Sequence, residues 1–464
     1  MVIDISTRKN QTIVVLGLGG SGLMAARALK HSGAQIIAWD DNPDQRSRAE
    51  KDGITTVDLD GYDFSDTDAL VLAPGIPFTY KPHKLVAKAR ATTVAIIGDI
   101  ELLVEACPQA RFVGITGTNG KSTTTALLGH LLQQAGVKAQ IGGNLGPPAL
   151  GLAPPEPGEA MVLELSSYQL DLTERACFDI AVLLNISPDH LDRHGDMAGY
   201  IAAKKRLFRD HTSAAKQIAV IGIDDTHSRA VYEDIAGRTG WTTIPISAAD
   251  RPADGVYVAD GILIDDQNGD AKPVVDLSSI VTLTGRHNWQ NAAAAYAAAC
   301  ALGLDSTLIA TAFESYPGLP HRLELVAMID GVRYINDSKA TNGEAAAVAL
   351  ACFGSIYWIA GGQAKEDGLT PTLNALGGVH AAFLIGEAQD SFFEQLQDRI
   401  PVTKCGDLAS AIALAKKQAE KDGARDAVIL LSPAAASFDQ WPNFKARGDG
   451  FRALVQAPTA ETRA

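Results

Sequence analysis

The stretch Gly114-Ile-Thr-Gly-Thr-Asn-Gly-Lys-Ser122 decides how the rest of the chain is read. It follows the apolar run Arg111-Phe-Val-Gly-Ile115 and opens a helix-like run from Ser122 to Gln134. A strand, a glycine-rich turn and a helix start, in that order, form a phosphate cradle. Backbone N–H groups point inward, the helix dipole favours anions, and a lysine reaches the outer phosphates. The chain is therefore expected to bind and spend a nucleoside triphosphate. The usual spacing asks for glycine where Ile115 stands, and Gly114 lies one residue early. Gly117, Gly120, Lys121 and the preceding strand together carry the assignment against an ordinary strand-to-helix turn.

Composition narrows the class. The 464 residues are enough for two to four domains, and 46% of them are hydrophobic, so several ordinary cores are expected. A net charge of −14 and scattered basic residues argue against a nucleic-acid partner. The five cysteines stand far apart with no Cys-x-x-Cys pair, which points to free thiols in a reducing compartment. The N-terminus lacks signal-peptide regions, and no apolar run approaches the ~20 residues that span a bilayer. A cytoplasmic protein without membrane insertion is the expectation. The alanine-rich segment Asn291 to Cys300 reads as a buried helix.

Three α/β domains are expected. Residues 1–99 alternate strand and helix, with strands at Thr12–Leu16, Gln35–Trp39, Ala69–Leu72 and Val94–Ile97, as in a Rossmann-like parallel sheet covered by helices. Residues 100–317 hold the phosphate loop, strands at Met161–Glu164 and Ile180–Asn185, a looser strand-rich insertion near 215–283, and a closing helix after Asn288. Residues 318–464 return to clean alternation, with strands at Tyr357–Ala360, Ala381–Ile385 and Ala427–Leu431. Pro317-Gly-Leu-Pro320 is a plausible hinge.

Several constellations carry chemistry. Gly17-Leu-Gly-Gly-Ser-Gly22 fits G-x-G-x-x-G, with Asp40 at the end of the next strand. NAD(P), a non-redox diphosphate and a structural turn all fit it, and the second nucleotide loop at 114–122 favours the diphosphate. Ala73-Pro-Gly-Ile-Pro77 is a rigid turn at the carboxyl edge of the same sheet. Glu164 ends an apolar strand beside the phosphate loop, where an Mg²⁺ partner is expected, and Ser122 offers a hydroxyl to the same ion. His190, in Asn185-Ile-Ser-Pro-Asp-His-Leu-Asp-Arg-His194, can ligate metal, orient an oxyanion or serve structure alone. Asn288 and Asn291 share a helix face and can read adenine or phosphate, unless Asn288 merely caps the helix. His321-Arg322, Asn336-Asp-Ser-Lys-Ala-Thr-Asn342, Gly361-Gly-Gln-Ala-Lys365 and Leu431 to Gln440 gather lysines and hydroxyls at one sheet edge, which suits a dicarboxylate.

Taken together the chain resembles the ATP-dependent cell-wall amino-acid ligases of the muramyl peptide pathway. Gly117 to Ser122, Asn185 to His190, His287-Asn-x-x-Asn291 and His321-Arg322 carry the general likeness. Gly142-Gly-Asn-Leu-Gly146, Asn336 to Asn342 and Ser432 to Gln440 resemble the D-glutamate-adding branch. The resemblance implies a UDP-substrate domain, a P-loop ATPase-type central domain and an amino-acid-binding domain. It implies a monomer that uses ATP and two Mg²⁺ ions, without NAD, to add D-glutamate to UDP-N-acetylmuramoyl-L-alanine through an acyl phosphate and a tetrahedral intermediate. ATP is assigned to Gly117, Thr118, Asn119, Gly120, Lys121, Ser122 and Thr123, with Asn288, Asn291, Arg322 and Asp337 on adenine, phosphate and ribose. The UDP-substrate is assigned to Gly20, Ser21, Gly22, Asp40, Asp41, Pro74, Gly75, Asn144 and His190. Thr341, Lys365, Ser437, Phe438 and Phe444 are assigned to D-glutamate, and Lys121, His190, Lys204 and Lys339 to catalysis. Metal falls to Ser122, Glu164, His190 and Lys204, the last as a carbamate, chosen over Lys205 from Tyr200-Ile-Ala-Ala-Lys204. One departure stands out: the family often has Thr-Arg after the strand-end acid, and this chain has Asp41-Asn42.

Overall fold

Three mostly parallel sheets organise the chain in a computed structural model that describes residues 2–211, 216–365, 368–424 and 426–457. The first sheet uses β1 (Thr12–Leu16), β2 (Gln35–Trp39), β3 (Thr55–Thr56), β4 (Ala69–Leu72) and β5 (Ala95–Ile97) in the order β3-β2-β1-β4-β5. All its pairs are parallel. Its central strands are apolar on both faces because helices cover both sides, so Ile13, Val14 and Val15 are all buried. Gly22 has a physical reason: a Cβ there would collide with the carbonyl oxygen of Gly17, so the helix Gly20–His31 can lie this close to the strand only with glycine.

The second sheet has nine strands. These are β6 (Arg111–Thr116), β7 (Ala139–Gly143), β8 (Ala160–Glu164), β9 (Ile180–Leu183), β10 (Gln217–Gly222), β11 (Trp241–Ser247), β12 (Val256–Ala259), β13 (Ile262–Asp265) and β14 (Lys272–Asp276). Their order is β14-β13-β12-β11-β10-β9-β6-β8-β7, antiparallel only at β12/β13 and β13/β14. The segment read as a loose insertion near 215–283 is thus an extension of this sheet. The buried run Ala219-Val-Ile221 in β10 pairs in parallel with β9, which makes the extension continuous. The alanine-rich helix begins at Arg286 and runs to Ala301, so Asn288 lies inside it and is not its cap. Every side chain from Ala292 to Ala299 is buried.

The segment Gly98–Glu101 ties the first two sheets together. A Cβ at Gly98 would press on Leu172, and one carboxylate oxygen of Glu101 accepts the backbone N–H groups of Glu174, Arg175 (2.7 Å) and Ala176 (2.9 Å). One continuous apolar core runs from Ile3 through Phe112 and Met161 to Ile235. By contact density the chain falls into two units, Met1–Ser278 with Arg286–Tyr316, and Ser279–Gly285 with Pro317–Ala464.

The second unit is built on β15 (Glu324–Ile329), β16 (Val332–Asn336), β17 (Ile356–Gly361), β18 (Val379–Ile385), β19 (Val402–Gly406) and β20 (Val428–Leu431). The order is β15-β16-β20-β17-β18-β19, with only β15/β16 antiparallel. Trp358 is fully buried and donates its indole N–H to the Ser432 carbonyl (2.8 Å). The guanidinium of Arg447, on the helix Phe444–Gln456, is 1% exposed. It donates to the carbonyls of Ser338 (3.0 Å), Gly361 (3.4 Å), Ala435 (3.0 Å) and Ala436 (3.3 Å) and to the Ser338 hydroxyl (3.0 Å). Burial lowers its pKa to about 10, which still leaves it charged at neutral pH. Arg447→Met keeps the bulk but strands these acceptors, and should cost the second unit about 3 kcal/mol or more. Chemical denaturation followed by hydrogen exchange of the β17 and β20 amides checks this; an unchanged midpoint would refute it.

Candidate active site

The carboxyl edges of the first two sheets open onto a cavity of about 670 Å³. Its walls include Gly17, Gly20 and Ser21 of the first glycine-rich turn, Asp40, Pro74 and Gly75, and Lys121, Asn144, His190, Tyr200 and Lys204. The first glycine turn and Lys121, which follows the second glycine loop, therefore face one space. Of the residues expected on the UDP-substrate, Gly22 and Asp41 stand outside the lining. Gly22 serves helix packing as described. The Asp41 carboxylate accepts the Trp39 indole N–H (3.1 Å) and lies 3.9 Å from His83 Nε2. Asp40 accepts the N–H groups of Leu18 (2.6 Å) and Asn42 (2.8 Å), so its carboxylate braces the glycine turn. Arg46 stacks on Trp39 (4.4 Å) and donates to the carbonyls of Asp40 and Asp41 (2.6 and 3.1 Å), bringing a guanidinium beside the acid although position 42 is asparagine.

The phosphate cradle is held from several directions. Gly120 precedes the helix Lys121–Gln134 with φ of 86°, in the left-handed region. A Cβ there would also strike the side-chain oxygen of Asn291, so this position accepts only glycine. The Asn119 N–H donates to the Asn185 side-chain oxygen (2.8 Å), and the Thr118 N–H to the Asn185 carbonyl (2.9 Å). Lys121 Nζ donates to the Gly117 and Thr118 carbonyls, both at 2.8 Å, and so lies over the loop whose amides it would share with phosphate. Ser122 and Thr123 occupy the next two positions of the helix's first turn. Asn288 and Asn291 are buried side by side, Asn291 donating to Asn288 at 3.3 Å.

Glu164 ends β8 with its carboxyl 2% exposed. One oxygen accepts from the Asn144 amide (2.6 Å), and the other has no hydrogen-bond partner among the described residues. A buried, unpaired carboxylate oxygen is costly unless a cation meets it. Together with the Ser122 hydroxyl it is a hard oxygen donor of the kind Mg²⁺ takes. His190 sits in the left-handed region (φ 52°), with Nδ1 3.0 Å from the Tyr168 hydroxyl. Lys204 is 1% exposed, donates to the Gly117 carbonyl (2.9 Å) and Thr116 hydroxyl (3.4 Å), and lies over the Tyr200 ring. Burial, reinforced by the charge of Lys121, pulls its pKa well below that of an ordinary lysine. Lys205 instead pairs with Asp234 at the surface (2.7 Å).

In the second unit three loops at the carboxyl ends of β16, β17 and β20 are joined. Gln363 and Ala436 exchange backbone hydrogen bonds (2.8 and 2.9 Å), which seats the loop carrying Lys365 against the one carrying Ser437 and Phe438. Ser432 donates to the Asp337 carboxyl (2.8 Å), and burial pushes the Asp337 pKa up to about 7. Lys339 lies over the Phe444 ring (4.2 Å), and the Thr341 N–H donates to the Lys339 carbonyl (2.8 Å). Arg322 stands one residue after buried His321. Phe438 is 68% exposed and Ser437 is buried.

Sequence reasoning did not single out several residues of the first unit. Tyr168, Gln169, Ser166 and Tyr200 line the large cavity. Asp224, Asp225 and Gln290 line a second one, of about 350 Å³, with Asn185, Arg286 and His287. The available signal was their position: each follows a buried strand end or sits beside an assigned motif.

Comparison with known proteins identifies the architecture. The Mur ligase middle domain matches residues 115–299, and the Mur ligase glutamate ligase domain matches 321–435. Among solved structures, the UDP-N-acetylmuramate-alanine ligase MurC of Thermotoga maritima aligns with a TM-score of 0.57 at 15% identity, covering 96% of this chain and 99% of that one. A pseudomurein peptide ligase type C of Methanothermus fervidus aligns with a TM-score of 0.55 at 19% identity, again over 96% and 99%. These two likenesses speak to fold. The UDP-N-acetylmuramoylalanine--D-glutamate ligase of Paramagnetospirillum magneticum is 48% identical over 458 residues, 98% of each chain. The protein of that name from Caulobacter sp. (strain K31) is 46% identical over 98% of each. With nearly half its residues shared over almost its whole length, the chain belongs to the Mur ligase family, among the UDP-N-acetylmuramoylalanine--D-glutamate ligases.

Proposed function

We propose that this protein joins D-glutamate to UDP-N-acetylmuramoyl-L-alanine at the expense of ATP, as a step in peptidoglycan precursor synthesis. The observation that supports the reading is the shared cavity: Gly17, Gly19, Gly20 and Ser21 of the diphosphate-type turn and Lys121, at the end of the triphosphate loop, line one space. A nucleotide-linked substrate anchored at the turn would extend its free carboxylate toward the cradle. That carboxylate attacks the γ-phosphorus, forming a C–O–P bond and releasing ADP. The D-glutamate amine then adds to the acyl carbon, and the tetrahedral intermediate expels phosphate as the amine loses its proton.

The reading assigns each residue a role. Gly117, Thr118, Asn119, Gly120, Ser122 and Thr123 cradle the phosphates, and Lys121 offsets charge that grows on the transferring group. Asn288, Asn291, Arg322 and Asp337 serve the rest of ATP. Gly20, Ser21, Asp40, Pro74 and Gly75 hold the uridine nucleotide, with Gly22 and Asp41 supporting that pocket from outside its lining. Asn144 and His190 are assigned to the acyl end of the substrate, and Lys339 to the step in which the amine attacks the acyl phosphate. Thr341, Lys365, Ser437, Phe438 and Phe444 receive D-glutamate, Lys365 pairing with a carboxylate.

Ser122 and Glu164 would hold one Mg²⁺, and His190 with Lys204 a second. When bound, these ions neutralise phosphate charge and polarise the P–O bond. Lysine as a cation does not fit a metal site. Its lowered pKa, however, leaves Lys204 a nucleophilic amine that can add CO₂, lose a proton and become a carbamate with oxygen donors. No nicotinamide takes part, and the enzyme works as a monomer in the cytoplasm. No helix among the described residues is long and apolar enough to cross a membrane.

The direct test is phosphate release from ATP, UDP-N-acetylmuramoyl-L-alanine, D-glutamate and Mg²⁺, with no nicotinamide added. Release with another amino acid but not D-glutamate would reassign the acceptor. In that assay Lys121→Ala should lower kcat by roughly 10²–10³-fold, because a transition-state charge partner is lost; near-normal turnover would refute its role. Lys365→Ala should raise the KM for D-glutamate by roughly tenfold or more with the KM for ATP unchanged, as expected for one lost charge-assisted hydrogen bond. An unmoved KM would place the acceptor elsewhere. Stripping dissolved CO₂ should depress activity and bicarbonate should restore it in the native protein but not in Lys204→Ala. Indifference to bicarbonate would dismiss the carbamate.

A further inference from the structure

Behind the large cavity stands an arginine that the reaction scheme does not use. Arg193 lies on the short helix Leu191–His194, three residues after His190, and is 8% exposed. Its guanidinium donates to three successive carbonyls, those of Pro74 (3.2 Å), Gly75 (3.5 Å) and Ile76 (2.5 Å). It also lies over the Tyr168 ring (4.9 Å), and the Tyr168 hydroxyl meets His190 Nδ1. Pro74, Gly75, Ile76, Tyr168 and His190 all line the cavity, whereas Arg193 does not. One buried cation therefore joins the wall beside the first glycine turn to the wall that carries His190.

A buried guanidinium is costly unless its N–H groups are met, and an apolar side chain would fill the same space at lower cost. Asp171, the acid that acts on it most, is taken up by the Thr79 hydroxyl (2.7 Å) and lies 3.9 Å from Arg206. Backbone carbonyls meet the charge instead. The turn Ala73–Pro77 does not need the arginine for its own shape. The Ala73 N–H donates to the Leu16 carbonyl (2.9 Å), the Ile76 N–H to the Ala73 carbonyl (3.0 Å), and the His83 N–H to the Pro77 carbonyl (3.0 Å). What Arg193 adds is the placement of that turn against the segment of His190, since a rigid fork on three carbonyls fixes both direction and distance. Two nearby contacts act in the same sense. Thr79 holds Asp171, and the Tyr80 ring packs on Gly195, where a Cβ would come within 3.0 Å of it.

We infer that Arg193 is a positioning residue for a two-ended grip on the nucleotide substrate: it fixes the span between the turn Ala73–Pro77 and His190. The inference rests on the proposed use of this cavity by a nucleotide-linked substrate. A ligand held at the turn alone does not feel that span. A ligand held at both ends does, because its second end binds as an intramolecular event whose gain depends on the distance to be bridged. An acyl group set out of line also reacts more slowly.

Calorimetric titration of the full-length protein with UDP and with UDP-N-acetylmuramoyl-L-alanine separates the two cases. The native protein should bind the whole substrate more tightly than UDP. Arg193→Met, which keeps the bulk and loses the donors, should weaken the whole substrate roughly tenfold or more and leave UDP within about twofold. Its kcat should fall roughly 10²-fold with the KM for ATP unchanged. Thr79→Val, a milder change at the second tie, should show the same split at roughly threefold, and carries the test if Arg193→Met does not fold. An equal loss of UDP and of whole substrate would make Arg193 a prop of the turn alone and overturn the inference. Native affinity for both ligands in the variants would overturn it too. Whole-substrate binding by the native protein no tighter than that of UDP would also overturn it, while turnover in the phosphate-release assay kept the ligase reading intact. A native protein that binds neither ligand would overturn both.

Discussion

The left-handed turn at Gly120 is the constraint on which the first unit depends. It lets the chain leave a buried strand and enter a helix within a few residues, and so presents a run of amides at one end of the sheet. Asn291 approaches so closely that no side chain is tolerated there, and Asn185 fastens the loop from the neighbouring strand end. The alanine-rich helix is required by the same contact. Only small side chains let Arg286–Ala301 lie flat enough on the sheet to bring Asn291 against the turn.

Around the cavity, burial rather than ion pairing governs Lys204 and Glu164. Lys121 and Lys204 both donate to the Gly117 carbonyl, and each makes the other's charge less favourable. Glu164 keeps a carboxyl oxygen out of water without a partner. Such groups lower stability in the empty protein. Unpaired buried groups of this kind are characteristic of binding sites.

Much of the fold was legible because its strands are buried on both faces and its turns are punctuated by glycine. Thr12–Leu16, Gln35–Trp39 and Ala69–Leu72 have the bounds that the apolar runs suggest. The edge elements were not legible. Thr55–Thr56 has two residues, Val402–Gly406 carries a lysine and a cysteine, and Glu324–Ile329 is only partly buried, so none shows a strong period. The residues 215–283 looked loose because β13 and β14 leave the parallel pattern, although β10 and β11 continue it. At the site, glycines, lysines and strand-end acids announced themselves through spacing. Arg193, Gln169, Tyr200 and Arg447 did not, since their importance lies in what they touch across long sequence separations.

Arg447 also sets an order of events in biosynthesis. The loops bearing the Ser338 and Gly361 carbonyls leave the ribosome well before it does, and those carbonyls do not meet this guanidinium until the helix Phe444–Gln456 emerges. The phosphate cradle, encoded more than three hundred residues earlier, can close long before then. A nascent chain can therefore complete the core of its first unit before its second unit is held together.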